Sequence, residues 1–208
     1  MLFRSIGART AWANGPHFAH AVLGYGFDKY DSSRPIVFAG NSAVATSSTR
    51  GHQWLAGISG GENFDFGAVR LSPFVGLLAS RWQANAFTET SAGALNVTVA
   101  AQTATSLRSE AGVEAGLKWN LGGVSLQPHV RAAWLSEFYD GSRSMHASFG
   151  NATYAVRTHG PQRDSVQLSA GLNLLLSPRA LLYADYSAQN GSITKVLSEW
   201  RVGLVAKF

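Results

Sequence analysis

The stretch SVQLSAGLNLLL, residues 165–176, alternates between apolar and polar side chains. Polar or small side chains occupy one set of positions, namely Ser165, Gln167, Ser169, Gly171 and Asn173. Apolar side chains occupy the other set, namely Val166, Leu168, Ala170, Leu172, Leu174 and Leu176. Successive side chains of a β-strand point to opposite faces, so this period of two predicts a strand with one apolar face. The strand is longer than the roughly 5–6 residues usual in globular proteins.

The same period of two recurs over residues 106–119, 124–138 and 199–208. A helix is excluded there, because residues three and four apart differ in polarity. The pattern predicts eight strands over residues 16–30, 48–63, 67–86, 104–119, 124–139, 163–176, 180–190 and 196–208.

The predicted connections alternate between short and long. Residues 64–66, 120–123 and 177–178 form short turns, whereas residues 31–47, 87–103 and 140–162 form long loops rich in Ser, Thr, Gly and Asn, and 191–195 a shorter one. Outer-membrane barrels are built in this way, with short periplasmic turns and longer extracellular loops. The sequence therefore predicts an all-β, antiparallel up-and-down transmembrane β-barrel. The even strand count places both termini at the short-turn end.

The composition excludes several other classes of protein. With 46% hydrophobic and 14% charged residues, the chain is too apolar for intrinsic disorder. It contains no cysteine, which excludes a disulfide scaffold, a thiolate zinc site and a cysteine nucleophile. The net charge is +5, but the 17 Lys and Arg residues are scattered, so nucleic acid is not an expected partner. No cofactor is expected.

Aromatic residues are expected to form belts at the two membrane interfaces. Trp119 and Phe208 fall beside short turns. The residues nearer the long loops are Trp82, Trp134, Phe138, Tyr186 and Trp200.

Charged residues fall on the polar face of the predicted strands, which would line the barrel lumen. The positive ones are Arg70, Arg108, Lys118, Arg131, Arg201 and Lys207, and the negative ones are Glu110, Glu114, Glu137, Asp185 and Glu199. Unpaired charges in a low-dielectric interior cost several kcal/mol, so cross-strand pairing is the expected state. A role in holding a threading polypeptide is the alternative.

Enzymatic chemistry has weaker support in the sequence. Gly57–Gly61 fits G-x-S-x-G with Ser59 as nucleophile, but that motif needs a strand, a tight turn and a helix, and a strand follows here. His146, His159, Asp140 and Asp164 lie in or beside a long loop and could supply a catalytic rim, although no spacing marks a triad. No metal site is predicted, because histidines such as His20, His52 and His129 lack ligand spacing.

Several segments together resemble the C-terminal β-domain of classical type V autotransporters of Gram-negative bacteria. They are RLSPFVGLLASRW (70–82), FTETSAGAL (87–95), SLRSEAGVEAGLKW (106–119), SPRALLYADYS (177–187) and WRVGLVAKF (200–208). The resemblance covers residues 15–208 and assigns residues 1–14 to a short N-terminal segment, either unstructured or a remnant of a preceding strand. It implies an outer-membrane translocator that anchors and exports an N-terminal passenger, without enzymatic activity.

Family membership also implies partners and a terminal signature. The implied partners are outer-membrane lipid and lipopolysaccharide, the barrel assembly machinery and the passenger polypeptide. Trp200, Val202, Leu204 and Phe208 are similar to the C-terminal signature that the assembly machinery recognises. Family barrels have twelve strands, a helix in the lumen and a passenger before it. The chain is therefore expected to be N-terminally truncated, with two open sheet edges.

Two other functions stay open at this stage. One is a self-standing small outer-membrane barrel with a structural or adhesive role. The other is a barrel hydrolase that uses Ser59 or the loop residues.

Overall fold

The computed structural model describes residues 2–38, 41–139, 143–150, 152–158, 163–177, 179–190 and 197–206. Nearly all of them lie in strands, joined by tight turns and one 3₁₀ turn at Gly93–Leu95. The strands are β1 (Leu2–Asn14), β2 (His17–Phe38), β3 (Asn41–Glu62), β4 (Phe64–Phe66), β5 (Val69–Ala84), β6 (Phe87–Thr88), β7 (Val97–Val99), β8 (Gln102–Leu117), β9 (Trp119–Leu121), β10 (Val124–Glu137), β11 (Arg143–Phe149), β12 (Ala152–Thr158), β13 (Asp164–Ser177), β14 (Ala180–Asn190) and β15 (Leu197–Ala206).

The described residues form an 11-stranded antiparallel main sheet whose long strands follow chain order, β1-β2-β3-β5-β8-β10-β13-β14-β15. The short strands β4 and β9 pair with β5 and β10 beside the tight turns. Gly67, Gly122 and Gly123 make those turns with positive φ, which glycine adopts without steric cost. The sheet has the up-and-down antiparallel topology and the barrel-type fold that the sequence predicts. Its edge strands, among the residues described, are β1 and β15.

The expected count of eight strands is wrong, because residues 2–14, expected to be unstructured or a remnant of a preceding strand, form a full strand of the main sheet. Residues 2–14 pair with β2 along their full length, from Leu2 opposite Lys29 to Asn14 opposite His17. The main sheet therefore has nine long strands among the described residues, and Leu2 lies at the long-loop end, not the short-turn end. The alternation is weak in β1, because Arg4 shares a face with Ile6 and Trp12.

The main sheet has an apolar outer face and a polar inner face. On β5, Val75 and Leu77 are 64% and 48% exposed, whereas their neighbours Ser72 and Phe74 on the opposite face are 9% and 8% exposed. On β13, Leu168 is 57% exposed, while Ser165 is 7% exposed. A water-soluble sheet buries its apolar face, so the exposed apolar face matches a surface solvated by lipid.

Aromatic side chains cover cross-strand glycines on the inner face. Phe74 lies opposite Gly112, and Tyr183 lies opposite Gly203. A Cβ atom on Gly112 would stand 2.7 Å from Phe74 Cζ, and one on Gly203 would stand 2.5 Å from the Tyr183 hydroxyl. Glycine is therefore required at both positions for the ring to lie flat across the neighbouring strand.

The expected long loops contain more strand than the sequence indicates. Strands β2 and β3 stay paired out to Phe38 and Asn41, far beyond Gly51 and Ala84, where the pairing of β3 with β5 ends. The other two long connections supply a second sheet in the order β12-β11-β7-β6. Residues 140–142, 151, 159–162, 178 and 191–196 fall outside the described residues.

The aromatic belts are larger than expected, and one expected member is wrong. Trp134 and Trp200 face outward with 61% and 73% exposure. Trp82 shares the inner face with Phe74 and is only part-exposed, so it is not a belt residue. The sequence argument missed outward aromatics at the long-loop end of β2 and β3, namely Tyr25, Phe27 and Trp54.

No helix in the described part of the chain is long and apolar enough to cross a membrane.

Because the two faces of β13 differ in polarity, a new charge should lower the free energy of unfolding by different amounts on the two faces. Leu172 faces outward and Gln167 faces inward. Leu172→Arg should lower the free energy of unfolding in lipid by about 2–4 kcal/mol, because it places a cation near the bilayer midplane. Gln167→Arg should cost much less. Urea unfolding of both variants in phospholipid vesicles measures the difference, and equal losses would contradict the assignment of the faces.

Candidate functional site: the inner polar face

Cross-strand register assembles the charges predicted to line the lumen on one face. Glu137 lies opposite Arg108, Arg131 lies opposite Glu114, and Asp185 lies opposite Arg201. The register places three more of the predicted charges on the same inner face, namely Arg70, Glu110 and Glu199. Lys118 lies between β8 and β9, and Lys207 falls outside the described residues.

One ion pair on this face joins β8 and β10. Arg131 Nη2 donates to Glu110 Oε2 at 2.9 Å, and the two side chains are 31% and 29% exposed. The Arg131 guanidinium carbon lies 3.9 Å from the centroid of the Phe74 ring, a cation–π contact. Among the described atoms, the buried Arg131 Nε has no hydrogen-bond partner. Arg131 is thus held between a carboxylate and an aromatic face.

A second polar contact crosses three strands. His129 Nε2 lies 2.9 Å from Asp185 Oδ1, and Gly171 of β13 lies opposite both residues. A Cβ atom on Gly171 would collide with both side chains, so the missing side chain gives the histidine and carboxylate room to meet. Arg201, the direct register partner of Asp185, instead donates to Glu199 on its own strand at 2.9 Å.

Glu137 is buried, but it does not form an ion pair with Arg108, the residue directly opposite it. Its carboxylate accepts hydrogen bonds from Ser106 Oγ at 2.5 Å, from the Leu107 amide at 2.9 Å and from the Tyr139 amide at 3.2 Å. These donors satisfy the carboxylate without a cation. Glu137 therefore fastens the end of β10 to β8 and to the loop that follows.

The remaining predicted charges have different surroundings. Arg70 pairs with Asp65, which the sequence argument did not select, at 2.7 Å beside a short turn. Arg108, Glu114 and Lys118 take part in no ion pair within the part of the chain that the structure describes. The face is therefore only partly self-neutralised by cross-strand pairs, and it leaves charges of both signs for other contacts.

The residues of the implied assembly signature lie on the outer face of β15. Trp200, Val202 and Leu204 are 73%, 73% and 65% exposed. Phe208 lies outside the described residues.

The candidate hydrolase residues do not form a catalytic constellation in the described structure. Ser59 lies within β3, opposite His20 and Gly76, and a strand follows it where the nucleophile motif requires a helix. Asp164 accepts a hydrogen bond from Trp134 Nε1 at 3.3 Å, and His146 lies on β11. Asp140 and His159 lie outside the described residues. No group of three or more His, Asp or Glu residues is placed to hold a metal in the described ranges.

Sequence reasoning missed a salt bridge at the long-loop end. Arg34 Nε and Nη2 donate to the two carboxylate oxygens of Glu89 at 3.0 and 2.5 Å, and Nη2 also donates to the Leu95 carbonyl at 3.0 Å. The Val97 amide donates to Glu89 Oε2 at 2.9 Å. We call this group the Arg34–Glu89 latch, and it ties the segment before β8 to the projecting β2–β3 hairpin.

The latch is reinforced by a neighbouring backbone bridge. The Thr46 and Thr90 amides each donate to the other residue's carbonyl, at 3.0 and 2.8 Å. No local motif predicts these contacts, because the latch joins residues 55 positions apart.

These features define an antiparallel membrane-type sheet with a polar interior. The family model of the autotransporter β-domain matches residues 4–187, and the chain therefore belongs to the autotransporter β-domain family. It is an outer-membrane translocator domain, as the resemblance implied. The family is a class of translocators not known to be catalytic, and its members belong to the outer membrane of Gram-negative bacteria.

A solved structure has the same fold. The chain is similar to the β domain of the Bordetella autotransporter BrkA, with a TM-score of 0.63 and 23% sequence identity. The match covers 99% of this chain and 73% of that one. No curated protein sequence matches the chain.

The latch should open in acid. The Arg34 guanidinium and the Val97 amide hold the pKa of the Glu89 carboxyl below its usual value. The stabilisation is therefore fully present above the unfolded-state pKa of about 4.3 and is lost as pH falls through the lower folded-state value. Protection of the Val97 amide against hydrogen exchange, corrected for the intrinsic rate, should stay constant from neutral pH down to the unfolded-state pKa and fall as the pH is lowered further.

Glu89→Gln is the control for this measurement. It keeps the size of the side chain but removes the titrating carboxyl, so the acid-dependent loss of protection at Val97 should disappear. Protection that stays constant with pH in the unmodified protein would contradict the assigned role of the carboxylate.

Proposed function

We propose that this translocator domain resides in the outer membrane, anchors an N-terminal passenger there and exports it without any catalysis of its own. The observation that carries the proposal is the polarity of the sheet: apolar side chains are exposed on the outer face, and charged side chains are collected on the inner face. Membership of the autotransporter β-domain family supports the same conclusion.

The inner face suits contact with a polypeptide in transit. The Arg131–Glu110 pair is braced against Phe74, so these charges stay fixed when a chain moves past them. Arg108 and Glu114 offer charges of both signs that are not engaged in ion pairs among the described residues. A surface with both signs can exchange hydrogen bonds with many sequences, which is what export of an extended passenger requires.

The orientation of the domain is tested by epitope insertion. An epitope in the connection between β2 and β3 should be accessible to antibody on intact cells, because long connections of such barrels face outward. The same epitope between Gly122 and Gly123, in a short turn, should become accessible only after the outer membrane is permeabilised. Equal accessibility at the two sites, or loss of the protein from the outer-membrane fraction, would contradict the proposal.

The barrel assembly machinery is the second proposed partner. It would recognise the outward row Trp200, Val202 and Leu204 together with the terminal Phe208. Deleting Phe208 should reduce insertion in cells but leave refolding in detergent nearly unchanged. Burial of one Phe contributes only about 1.5–3 kcal/mol in either setting and cannot by itself separate the two results. Insertion at the normal level after the deletion would exclude the signature.

A further inference from the structure

Four cations lie together on the outer face at the long-loop end of the main sheet. Lys29 of β2 lies directly opposite Arg50 of β3. Arg4 of β1 lies opposite Phe27, in the row that continues to His52 and Gln83. Arg81 of β5 lies opposite Trp54, one row nearer the centre of the sheet. We call these residues the outer cation cluster: Arg4, Lys29, Arg50 and Arg81.

The cluster is a local concentration of charge. Neighbouring strands are about 4.8 Å apart, and residues two positions apart on one strand are separated by about 6.8 Å. The cluster therefore spans four adjacent strands and three rows, roughly 15 Å in each direction. Within the described long strands of the main sheet, no Lys or Arg outside the cluster has the outer-face register.

Carboxylates do not neutralise most of the cluster. Lys29 Nζ lies 3.2 Å from Asp31 Oδ1. Arg4, Arg50 and Arg81 form no ion pair with any residue that the structure describes, and all three are exposed. By contrast, several arginines on the inner face, and the arginine of the Arg34–Glu89 latch, form ion pairs with carboxylates. Three guanidinium groups thus remain available to an external anion.

The position of the outer cation cluster along the membrane normal indicates which kind of anion it would bind. Tyr25 and Phe27 are in edge contact with centroids 4.7 Å apart, and Trp54 is exposed beside them. Further towards the short turns, the outer face becomes apolar, with Ile58 at 61% exposure and Leu77 at 48%. Aromatic side chains of this kind sit at the headgroup level of a bilayer. The cations therefore lie at or just outside that level, at the end where long connections face the cell exterior.

Resting on the outer-membrane orientation of the proposed function, we propose that the outer cation cluster binds the phosphate groups of a glycolipid in the outer leaflet. Arginine guanidinium matches phosphate oxygens with paired, charge-assisted hydrogen bonds. A soluble acidic protein fits less well, because the cluster adjoins apolar side chains that lie in the hydrocarbon layer. The site thus deepens the translocator assignment by naming where lipopolysaccharide touches the barrel.

Binding of diphosphoryl lipid A to the protein purified from outer membranes in a non-ionic detergent tests the proposal. Arg50→Gln/Arg81→Gln should weaken this binding by about tenfold or more, since each cation near an anionic lipid surface contributes on the order of 1 kcal/mol. The matched control Arg9→Gln/Arg179→Gln makes the same change in net charge. Arg9 lies on the inner face and Arg179 lies at the short-turn end, so the control should retain its affinity.

Two further probes distinguish the source of the phosphate. Dephosphorylated lipid A should bind the unmodified protein at least about tenfold more weakly, and inorganic phosphate at the same concentration should not displace diphosphoryl lipid A. Equal affinity of the two double variants, equal binding of the dephosphorylated lipid, or displacement by inorganic phosphate would each overturn the proposal.

The experiments distinguish failure of this binding site from failure of the proposed function. Failure to find the protein in the outer-membrane fraction would overturn the proposed function together with this site. A protein that is present in that fraction, but whose affinity for lipid A is unaffected by Arg50→Gln/Arg81→Gln, would overturn this site alone.

Discussion

The cross-strand backbone hydrogen-bond ladder is the interaction on which the rest of the structure depends. Hydrocarbon offers no partner to a backbone amide or carbonyl, and each unsatisfied group costs several kcal/mol there. From β1 to β15, each long strand of the described main sheet pairs with the next one along the chain. The ladder sets the register, and the register decides which side chains meet lipid and which meet each other. The outer edges of β1 and β15 carry backbone groups that no described strand pairs.

On the inner face, the register alone does not decide which charged side chains form pairs. Residues directly opposite one another do not always pair: Arg131 bonds Glu110 rather than Glu114, and Asp185 meets His129 across Gly171. The missing side chain of Gly171 lets His129 and Asp185 meet, and the Phe74 ring lies against the Arg131 guanidinium. Enclosed charges need complete hydrogen bonding, and Glu137 obtains it from a hydroxyl and two backbone amides instead of from an arginine.

Where the side-chain alternation is strong, the sequence predicts the structure well. The faces of β10 and β13 follow directly from the period of two, and so does the common face of Arg131, Glu110 and Asp185. For residues 1–14 the sequence left two interpretations open, an unstructured segment or the remnant of a strand, because Arg4 interrupts the apolar row of β1. The sequence predicts a loop over residues 31–47, although β2 and β3 extend into this segment. The Ser and Thr residues there form no apolar row, because this part of the two strands lies outside the membrane. The Arg34–Glu89 latch depends on how distant loops fold together, which no local pattern encodes.

The absence of cysteine from the sequence allows the central claim, a lipid-facing apolar surface backed by a polar interior, to be measured directly. Single cysteines placed in turn at positions 166–170 and 172 of β13 can be tested in membranes with a water-soluble maleimide and with a quencher confined to the lipid phase. Positions 166, 168, 170 and 172 should resist the maleimide and be quenched from the lipid, whereas positions 167 and 169 should show the reverse. Labelling and quenching that do not alternate along the strand would contradict the account.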